Sequence, residues 1–203
     1  MKKNTTINKD WTGDRNSIFK TLGSSAHGSH ERQSEDYYAT EPRAVELLLE
    51  QEEFATSIWE CASGEGHIAK VLLKHGYIVR QSDIIKRTPE TEFHDFLGMG
   101  IEDWGGDIIT NPPYRYAQEF VERALQSVGE GRKVAMFLRL LFLEGKARRA
   151  LFEANPPKTI YVASGRLKCM LNGTDNMGGS AVAYAWFVWE KGYKGNTIVK
   201  WIN

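Results

Sequence analysis

Apolar and polar positions alternate in blocks from Ser57 to Gly192. Short runs rich in β-branched and aromatic residues predict strands, and these runs are SIWECA, YIVRQSDI, DIITN, KVAMFLRL, TIYVASG and AVAYAWFVWEKG. Segments with apolar residues at helical spacing lie between them and predict helices: GEGHIAKVLLKHG, YAQEFVERALQSVGEG and LEGKARRALFEAN. This repeated order of strand and helix is typical of a parallel sheet with helices on both faces.

The last two predicted strands, TIYVASG and AVAYAWFVWEKG, are joined by a glycine-rich loop, LKCMLNGTDNMGGS, and not by a helical segment. Parallel neighbours need a long crossover, usually a helix, whereas antiparallel neighbours do not. We therefore expect these two strands to form an antiparallel pair at one edge of the sheet.

The segment before Ser57 divides into a polar part and a helix. Residues 1–34 are rich in Lys, Asn, Thr, Ser, Gly and His and have no sustained apolar period, which predicts a flexible tail. The stretch ATEPRAVELLLEQEEF predicts a helix with Thr40 as its cap and Pro42 in its first turn. Residues 35–203 are then expected to form a single domain.

Composition narrows the class of protein without identifying a partner. The chain has 203 residues, enough for one domain with a full core, and its 26 basic residues balance 26 acidic ones. A neutral chain neither suggests nor excludes nucleic acid, because a local basic patch can still bind it. Cys61 and Cys169 provide no disulfide or metal framework, and no run predicts a membrane helix or a secretory signal. We expect a cytoplasmic protein.

A glycine turn in WECASGEGHIAK joins the first of these strands to a helix. Gly64 and Gly66 would let the backbone lie against a ligand at the carboxyl edge of the sheet, although many such turns bind nothing. Asp83 ends the next strand, where an acid is expected to bind a ribose diol. A lone acid there would more simply be a surface residue or a helix cap. Together the two features favour a cofactor that contains a nucleoside.

The loop HDFLG places an acid beside an aromatic ring. Asp95 offers a hydrogen-bond acceptor and Phe96 offers a stacking surface, a pair that would suit an adenine ring. Acid–aromatic pairs are common in loops, so the pair supports the cofactor interpretation only together with the glycine turn.

The tetrapeptide NPPY, Asn111 to Tyr114, follows the apolar run DIIT. Asn-Pro and Pro-Pro are common in loops, so a plain loop is the simplest interpretation. The chemical alternative is that the Asn111 side-chain oxygen and the Pro112 carbonyl each accept one N–H of a planar amino group. Two such acceptors favour a pyramidal nitrogen and stabilise the positive charge that develops as a methyl group arrives. Pro112 and Pro113 would hold the carbonyl still, and Tyr114 could stack on the substrate.

These motifs, in this order, resemble those of S-adenosylmethionine-dependent amino-methyltransferases, and are most similar to small phage-type adenine-specific DNA methyltransferases. The resemblance covers ECASGEGHI, Asp83, the DF pair, NPPY and the upstream DYYATEP. It implies an α/β, Rossmann-like methyltransferase fold with a mostly parallel seven-stranded sheet, an antiparallel edge strand and helices on both faces. It also implies methyl transfer from S-adenosylmethionine to the 6-amino group of adenine in DNA, with the base flipped out of the stack and S-adenosylhomocysteine as product.

The resemblance further implies a role for each matching position. The cofactor would contact Tyr37, Tyr38, Thr40, Glu60, Ala62, Gly64, Gly66, Asp83, Ile84, Asp95 and Phe96. The target base would be held by Asn111, Pro112, Pro113 and Tyr114. No metal is implied.

The chain departs from this family in one respect, because we expect no large target-recognition domain. Two loops remain for substrate contact, and their cations could bind phosphates or form a solvated surface: Arg139, Lys146, Arg148, Arg149, Arg166 and Lys168. The departure leaves several substrates open, namely a very short DNA target, an RNA adenine or a protein glutamine amide. It also leaves open a homodimer or partner subunit that reads the target, and a silent binding module of the same fold.

Overall fold

The computed structural model describes residues 38–165, 167, 169–171 and 182–203. The predicted flexible tail at residues 1–34 lies outside these ranges, as do Tyr37, Arg166, Lys168 and the side chain of Tyr38. The described part contains ten strands: β1 (Tyr38–Thr40), β2 (Ser57–Glu60), β3 (Ile78–Asp83), β4 (Glu92–Phe93), β5 (Asp107–Thr110), β6 (Lys133–Arg139), β7 (Thr159–Ala163), β8 (Cys169–Leu171), β9 (Tyr184–Glu190) and β10 (Ile198–Ile202).

The helices lie where the periodicity predicts them: α1 (Pro42–Leu49), α2 (His67–Lys74), α3 (Ala117–Ser127) and α4 (Arg149–Ala154). α4 is shorter than the predicted segment, because a 3₁₀ turn at Lys146–Arg148 precedes it. The prediction that Thr40 caps α1 was wrong. Glu41 occupies the cap position without a side-chain cap bond, and Thr40 is the last residue of β1. None of the helices in the described ranges is long and apolar enough to cross a membrane.

The main sheet has eight strands in the order β10-β7-β9-β6-β5-β2-β3-β4. The prediction of seven strands was therefore one strand short. β9 is antiparallel to both β6 and β7, as expected for β7, while the other neighbours in this sheet are parallel. The expected edge position was wrong, since β9 lies inside the sheet between β6 and β7. Six of its seven residues are buried, and a continuous apolar run suits a strand that is covered on both faces.

Helices cover both faces of the sheet, as predicted. α1 and α2 pack with Ile58, Ile109 and Phe137 in one core cluster, and α3 and α4 pack with Ile108 and Met136 in the other. Successive strand residues point to opposite faces, which is why Ile108 and Ile109 belong to different clusters. β1 pairs with β8 in a separate two-stranded sheet. Because β2 is parallel to both β3 and β5, the carboxyl ends of these three strands share one edge of the main sheet. The site described next lies at this edge.

Candidate active site

A cavity of about 670 Å³ lies at the carboxyl ends of β2, β3 and β5. Open α/β sheets bind their ligands at this edge. Ten of the residues predicted from the sequence line the cavity: Thr40, Glu60, Ala62, Asp83, Ile84, Asp95, Phe96, Asn111, Pro112 and Pro113. The fold thus brings the strand-end acid, the acid–aromatic pair and the proline pair to one place, together with Ala62, Ser63 and His67 on either side of the two glycines. Gly64 and Gly66 themselves are not among the described residues that line the cavity.

The glycine turn needs glycine at both of its positions. Gly64 has a φ of 53° and Gly66 a φ of 73°, both in the left-handed region that other residues rarely adopt. A Cβ on Gly66 would also lie 2.8 Å from Oε1 of Gln81. The turn is fixed to the neighbouring strand, because the N–H of Gly64 donates a hydrogen bond of 2.9 Å to Oδ2 of Asp83.

Asp83 is therefore a structural acceptor as well as a predicted ligand of the ribose. Its other oxygen, Oδ1, accepts a 2.9 Å bond from the N–H of Ile85 and a 3.4 Å contact from Nη1 of Arg87. A carboxylate offers about four acceptor positions, and these contacts with the Gly64 bond account for three. The long Arg87 contact is the weakest of them, so it is the one that a ribose hydroxyl could most readily replace.

Glu60 ends β2 inside the cavity wall and is only 1% exposed. Its Oε2 accepts a 2.9 Å bond from the N–H of Ala69 in α2. Burial raises the pKa of Glu60 well above its ordinary value; the Ala69 bond opposes this rise and the negative charge of Asp83 adds to it. The carboxyl group therefore resists ionisation at pH values where an exposed glutamate is charged.

This raised pKa predicts how Glu60→Gln changes the pH dependence of stability. A carboxyl with a raised folded pKa stabilises the fold below its unfolded pKa, and that contribution is lost as pH rises through the folded pKa. We expect the parent chain to lose stability relative to Glu60→Gln as pH rises from about 4.3, measured by thermal unfolding without cofactor. Glu153→Gln, which alters an exposed partner of Arg149, is the control. Parallel profiles for the parent and Glu60→Gln would contradict the expectation.

Asp95 and Phe96 line the cavity and also build its wall. Oδ1 of Asp95 accepts bonds from the backbone N–H groups of Leu97 (3.1 Å) and Gly98 (2.9 Å), which fixes the loop that follows. Phe96 is buried, and its ring centroid lies 5.2 Å from that of Trp59 and 5.1 Å from that of Phe120. An adenine at this place would thus meet a rigid edge of the core.

Asn111 follows β5 directly, and a residue distant in sequence holds its side chain. Nδ2 of Asn111 donates a 3.0 Å hydrogen bond to Oγ1 of Thr40, which is 2% exposed. Because the two polar atoms of an amide are fixed relative to each other, this bond also determines where Oδ1 points. Thr40 therefore orients the group that the sequence predicts to accept the substrate N–H.

Replacing Thr40 by valine tests this orientation, because valine keeps the shape of the side chain and removes the acceptor. One lost hydrogen bond corresponds to about 0.5–1.5 kcal/mol, so we expect turnover to fall by up to about tenfold and cofactor affinity to change less. Thr40→Ser keeps Oγ and should restore turnover. If Thr40→Val weakens cofactor binding and leaves turnover of the saturated enzyme unchanged, Thr40 serves the cofactor alone.

The aromatic residues after the prolines are arranged differently from the sequence prediction. The Tyr114 ring centroid lies 5.7 Å from that of Tyr184, and the guanidinium carbon of Arg139 lies 4.6 Å from the Tyr114 centroid. Tyr116 lines the cavity with Arg115, whereas Tyr114 is not among the described lining residues. A 3₁₀ turn at Tyr114–Tyr116 accompanies this arrangement, and no local pattern in the sequence predicts it.

Three cations of the loop after β6 have different surroundings. Arg148 donates from Nε to the carbonyl of Phe142 at 2.8 Å and from Nη2 to the carbonyl of Glu144, so it holds the loop together. Arg149 forms a 2.6 Å ion pair with Glu153 on the surface. Lys146 is exposed. Of these three predicted substrate contacts, Lys146 is therefore the one most available to a ligand.

Several lining residues were not predicted from the sequence, among them Ser63, His67, Arg87, His94, Arg115, Tyr116 and Phe120. Burial lowers the pKa of His67, which favours its neutral form. Cys61 also lines the cavity, and burial raises the pKa of its thiol, which disfavours a nucleophilic thiolate. The described residues include no group of three or more His, Cys, Asp or Glu that could hold a metal ion.

No family model and no curated protein matches the chain, but solved structures do. A candidate RNA methyltransferase from Pyrococcus horikoshii is 14% identical, with a TM-score of 0.55 over 88% of this chain and 98% of that one. A candidate class I S-adenosylmethionine-dependent methyltransferase from Listeria monocytogenes is 12% identical, with a TM-score of 0.55 over 91% and 71%. The modification subunit of a candidate type I restriction enzyme from Vibrio vulnificus is 14% identical, with a TM-score of 0.56 over 92% and 50%.

At these identities the comparisons establish the fold alone. The chain has the Rossmann-like α/β fold of these methyltransferases, of which the Listeria monocytogenes protein is described as S-adenosylmethionine-dependent. The names of these proteins do not indicate one common substrate, so the fold does not select a methyl acceptor.

Proposed function

We propose that the chain is an S-adenosylmethionine-dependent methyltransferase that acts on the 6-amino group of adenine in DNA. The observation that carries the proposal is the shared cavity. Asn111, held by Thr40, lines the same cavity as Asp83 and the residues that flank the glycine turn. The proposed site for a planar amino group would thus lie beside the proposed site for a nucleoside cofactor.

The described residues fit S-adenosylmethionine by their chemistry. Asp83 can accept a ribose hydroxyl in place of the long Arg87 contact, and Asp95 with Phe96 offers the acceptor and ring that suit an adenine. When bound, the cofactor supplies an electrophilic methyl group.

The acceptor side needs no strong base. Asn111 Oδ1 and the Pro112 carbonyl would each accept one N–H of the adenine amine, which directs the nitrogen lone pair towards the methyl donor. The same two oxygens stabilise the positive charge that develops on nitrogen. Pro112 and Pro113 have fixed φ angles, so these acceptors are already in place before the substrate arrives. Tyr116, which lines the cavity, joins Tyr114 as a candidate stacking residue.

The other acceptors named above share this chemistry, because an RNA adenine and a glutamine amide also present a planar NH₂ group. A silent binding module would keep the cofactor site without turnover. The arrangement of Asn111 with Thr40 favours turnover, since a module that only binds the cofactor has no need of an oriented amide beside the proline pair.

The test is methyl transfer from tritiated S-adenosylmethionine to three acceptors: DNA free of adenine methylation, total RNA and a release factor. We expect label in DNA and N6-methyladenine after its digestion. If label appeared only in RNA or only in the release factor, that acceptor and not DNA would be the substrate. Bound cofactor without transfer to any acceptor would favour the silent module.

A further inference from the structure

We propose that Arg139 binds a phosphate of the nucleotide whose base enters the cavity. The inference rests on the proposed function, because it adds the nucleic-acid strand to the adenine amine. It selects one cation from the six that the sequence offered and assigns it an anionic ligand.

Arg139 is close to the predicted base site through its strand. It ends β6, which pairs with β5, and β5 leads directly into NPPY. Its guanidinium carbon lies 4.6 Å from the centre of the Tyr114 ring. Tyr114 is the last residue of NPPY, so the guanidinium lies against the tetrapeptide that contains Asn111 and Pro112.

Arg139 differs from the other partly buried cations in the described ranges, because each of those has a carboxylate or a carbonyl partner there. Arg123, Arg148 and Lys191 donate to backbone carbonyls. Arg80 pairs with Glu92 at 2.9 Å, Arg87 contacts Asp83 and Lys133 pairs with Glu52. Among the residues that the structure describes, Arg139 forms no such ion pair and its buried Nε has no hydrogen-bond partner.

A partly buried guanidinium in this situation has lost water without gaining an anion. The face of the Tyr114 ring compensates in part, through a cation–π interaction. A donor atom that is buried and unsatisfied still costs stability, so an anion bound by the same guanidinium would offset part of that cost. Guanidinium groups match phosphate in shape and can donate two parallel bonds to it.

A phosphodiester is the anion that this position favours. In a strand, the sugar that carries each base is joined to its neighbours by phosphates. An adenine at Asn111 therefore always brings a phosphate with it. A glutamine side chain on a protein brings no fixed negative charge. DNA and RNA share the phosphate, and the experiment separates them.

The experiment measures binding of two labelled single strands of one sequence, a DNA and an RNA, by fluorescence anisotropy over a series of salt concentrations. The parent chain is compared with Arg139→Gln and Arg139→Lys. Loss of one phosphate contact lowers the slope of log K against log salt by about 0.7 for single strands. We expect this loss for Arg139→Gln and a nearly parental slope for Arg139→Lys. The DNA strand is expected to bind more tightly than the RNA strand.

Lys74→Gln is the matched control. Lys74 is 76% exposed at the end of α2, whereas the cavity lies at the start of that helix. Its loss should leave the slope unchanged. If the salt slope fell equally for Lys74→Gln and Arg139→Gln, the fall would reflect only the loss of one positive charge anywhere on the protein. That result would overturn the phosphate site.

A second measurement changes the nucleic-acid strand as well as the protein. Neutral methylphosphonates replace the phosphates on either side of the target adenine, and their effect should be large in the parent chain and absent in Arg139→Gln. Equal effects in both chains, or an unchanged salt slope in Arg139→Gln, would overturn the phosphate site. Methyl transfer to DNA by the parent would leave the proposed function standing in that case. A parent chain that binds neither strand would overturn the phosphate site as well.

Discussion

Asn111→Ala is expected to lower turnover by about 10²–10³-fold while cofactor affinity stays close to that of the parent chain. The side chain provides one of two acceptors for the substrate amine and is oriented by Thr40. Its removal therefore takes away stabilisation that exists mainly in the transition state. Rates at saturating cofactor and calorimetric cofactor binding separate the two effects.

Asn155→Ala is the matched control, because the exposed Asn155 side chain follows α4 outside the cavity. It should keep full turnover. The role of Asn111 would be wrong if Asn111→Ala abolished cofactor binding while its thermal unfolding stayed parental. It would be equally wrong if turnover persisted unchanged.

Asp83→Ala should weaken cofactor binding first, by about 10- to 100-fold. A hydrogen bond to a charged group contributes about 1.5–3 kcal/mol, and a ribose hydroxyl would make at least one such bond. The same change removes the acceptor of the Gly64 and Ile85 N–H groups, so the glycine turn loses its attachment to β3. We therefore expect a lower unfolding temperature as well, measured without cofactor.

Asp83→Asn separates these two contributions, since it keeps one side-chain oxygen and about the same volume. It should recover part of the stability and less of the cofactor affinity, measured by calorimetry below the unfolding temperature of each variant. Asp103→Ala, at an exposed acid, is the control and should change neither. Unchanged cofactor affinity in folded Asp83→Ala would contradict the ribose role.

The sequence predicted most of the fold because strand and helix periods are local properties. The core strands of the main sheet and all the helices lie close to their predicted positions. The order of strands is a non-local property, and here the prediction placed β9 at the edge. The short strands β1, β4, β8 and β10 were not predicted. In β10 the apolar residues Ile198, Val199 and Trp201 are exposed, so the strand lacks the alternation of buried apolar and exposed polar residues that would reveal it.

The parts of the candidate site that could be predicted are those in which a sequence motif lies at the end of a predicted strand. The glycine turn, Asp83 and NPPY each follow this rule, and parallel strands bring such ends together. The contact of Thr40 with Asn111 spans 71 positions and depends on how β1 lies beside the cavity, so no local pattern could reveal it. The contact of Arg139 with the Tyr114 ring could not be predicted locally either. Arg139 ends β6 and Tyr114 follows β5, so the contact depends on β5 and β6 being neighbours in the sheet.

The interior position of β9 also constrains how the molecule is made. During synthesis β7 leaves the ribosome before β9, yet in the finished sheet β9 separates β7 and β10 from β6. Until β9 has been synthesised, β7 cannot take its final place in the sheet and β6 remains an unpaired edge strand. Such delayed, non-local pairing slows folding. A chain interrupted before Tyr184 would leave Arg139 on that open edge.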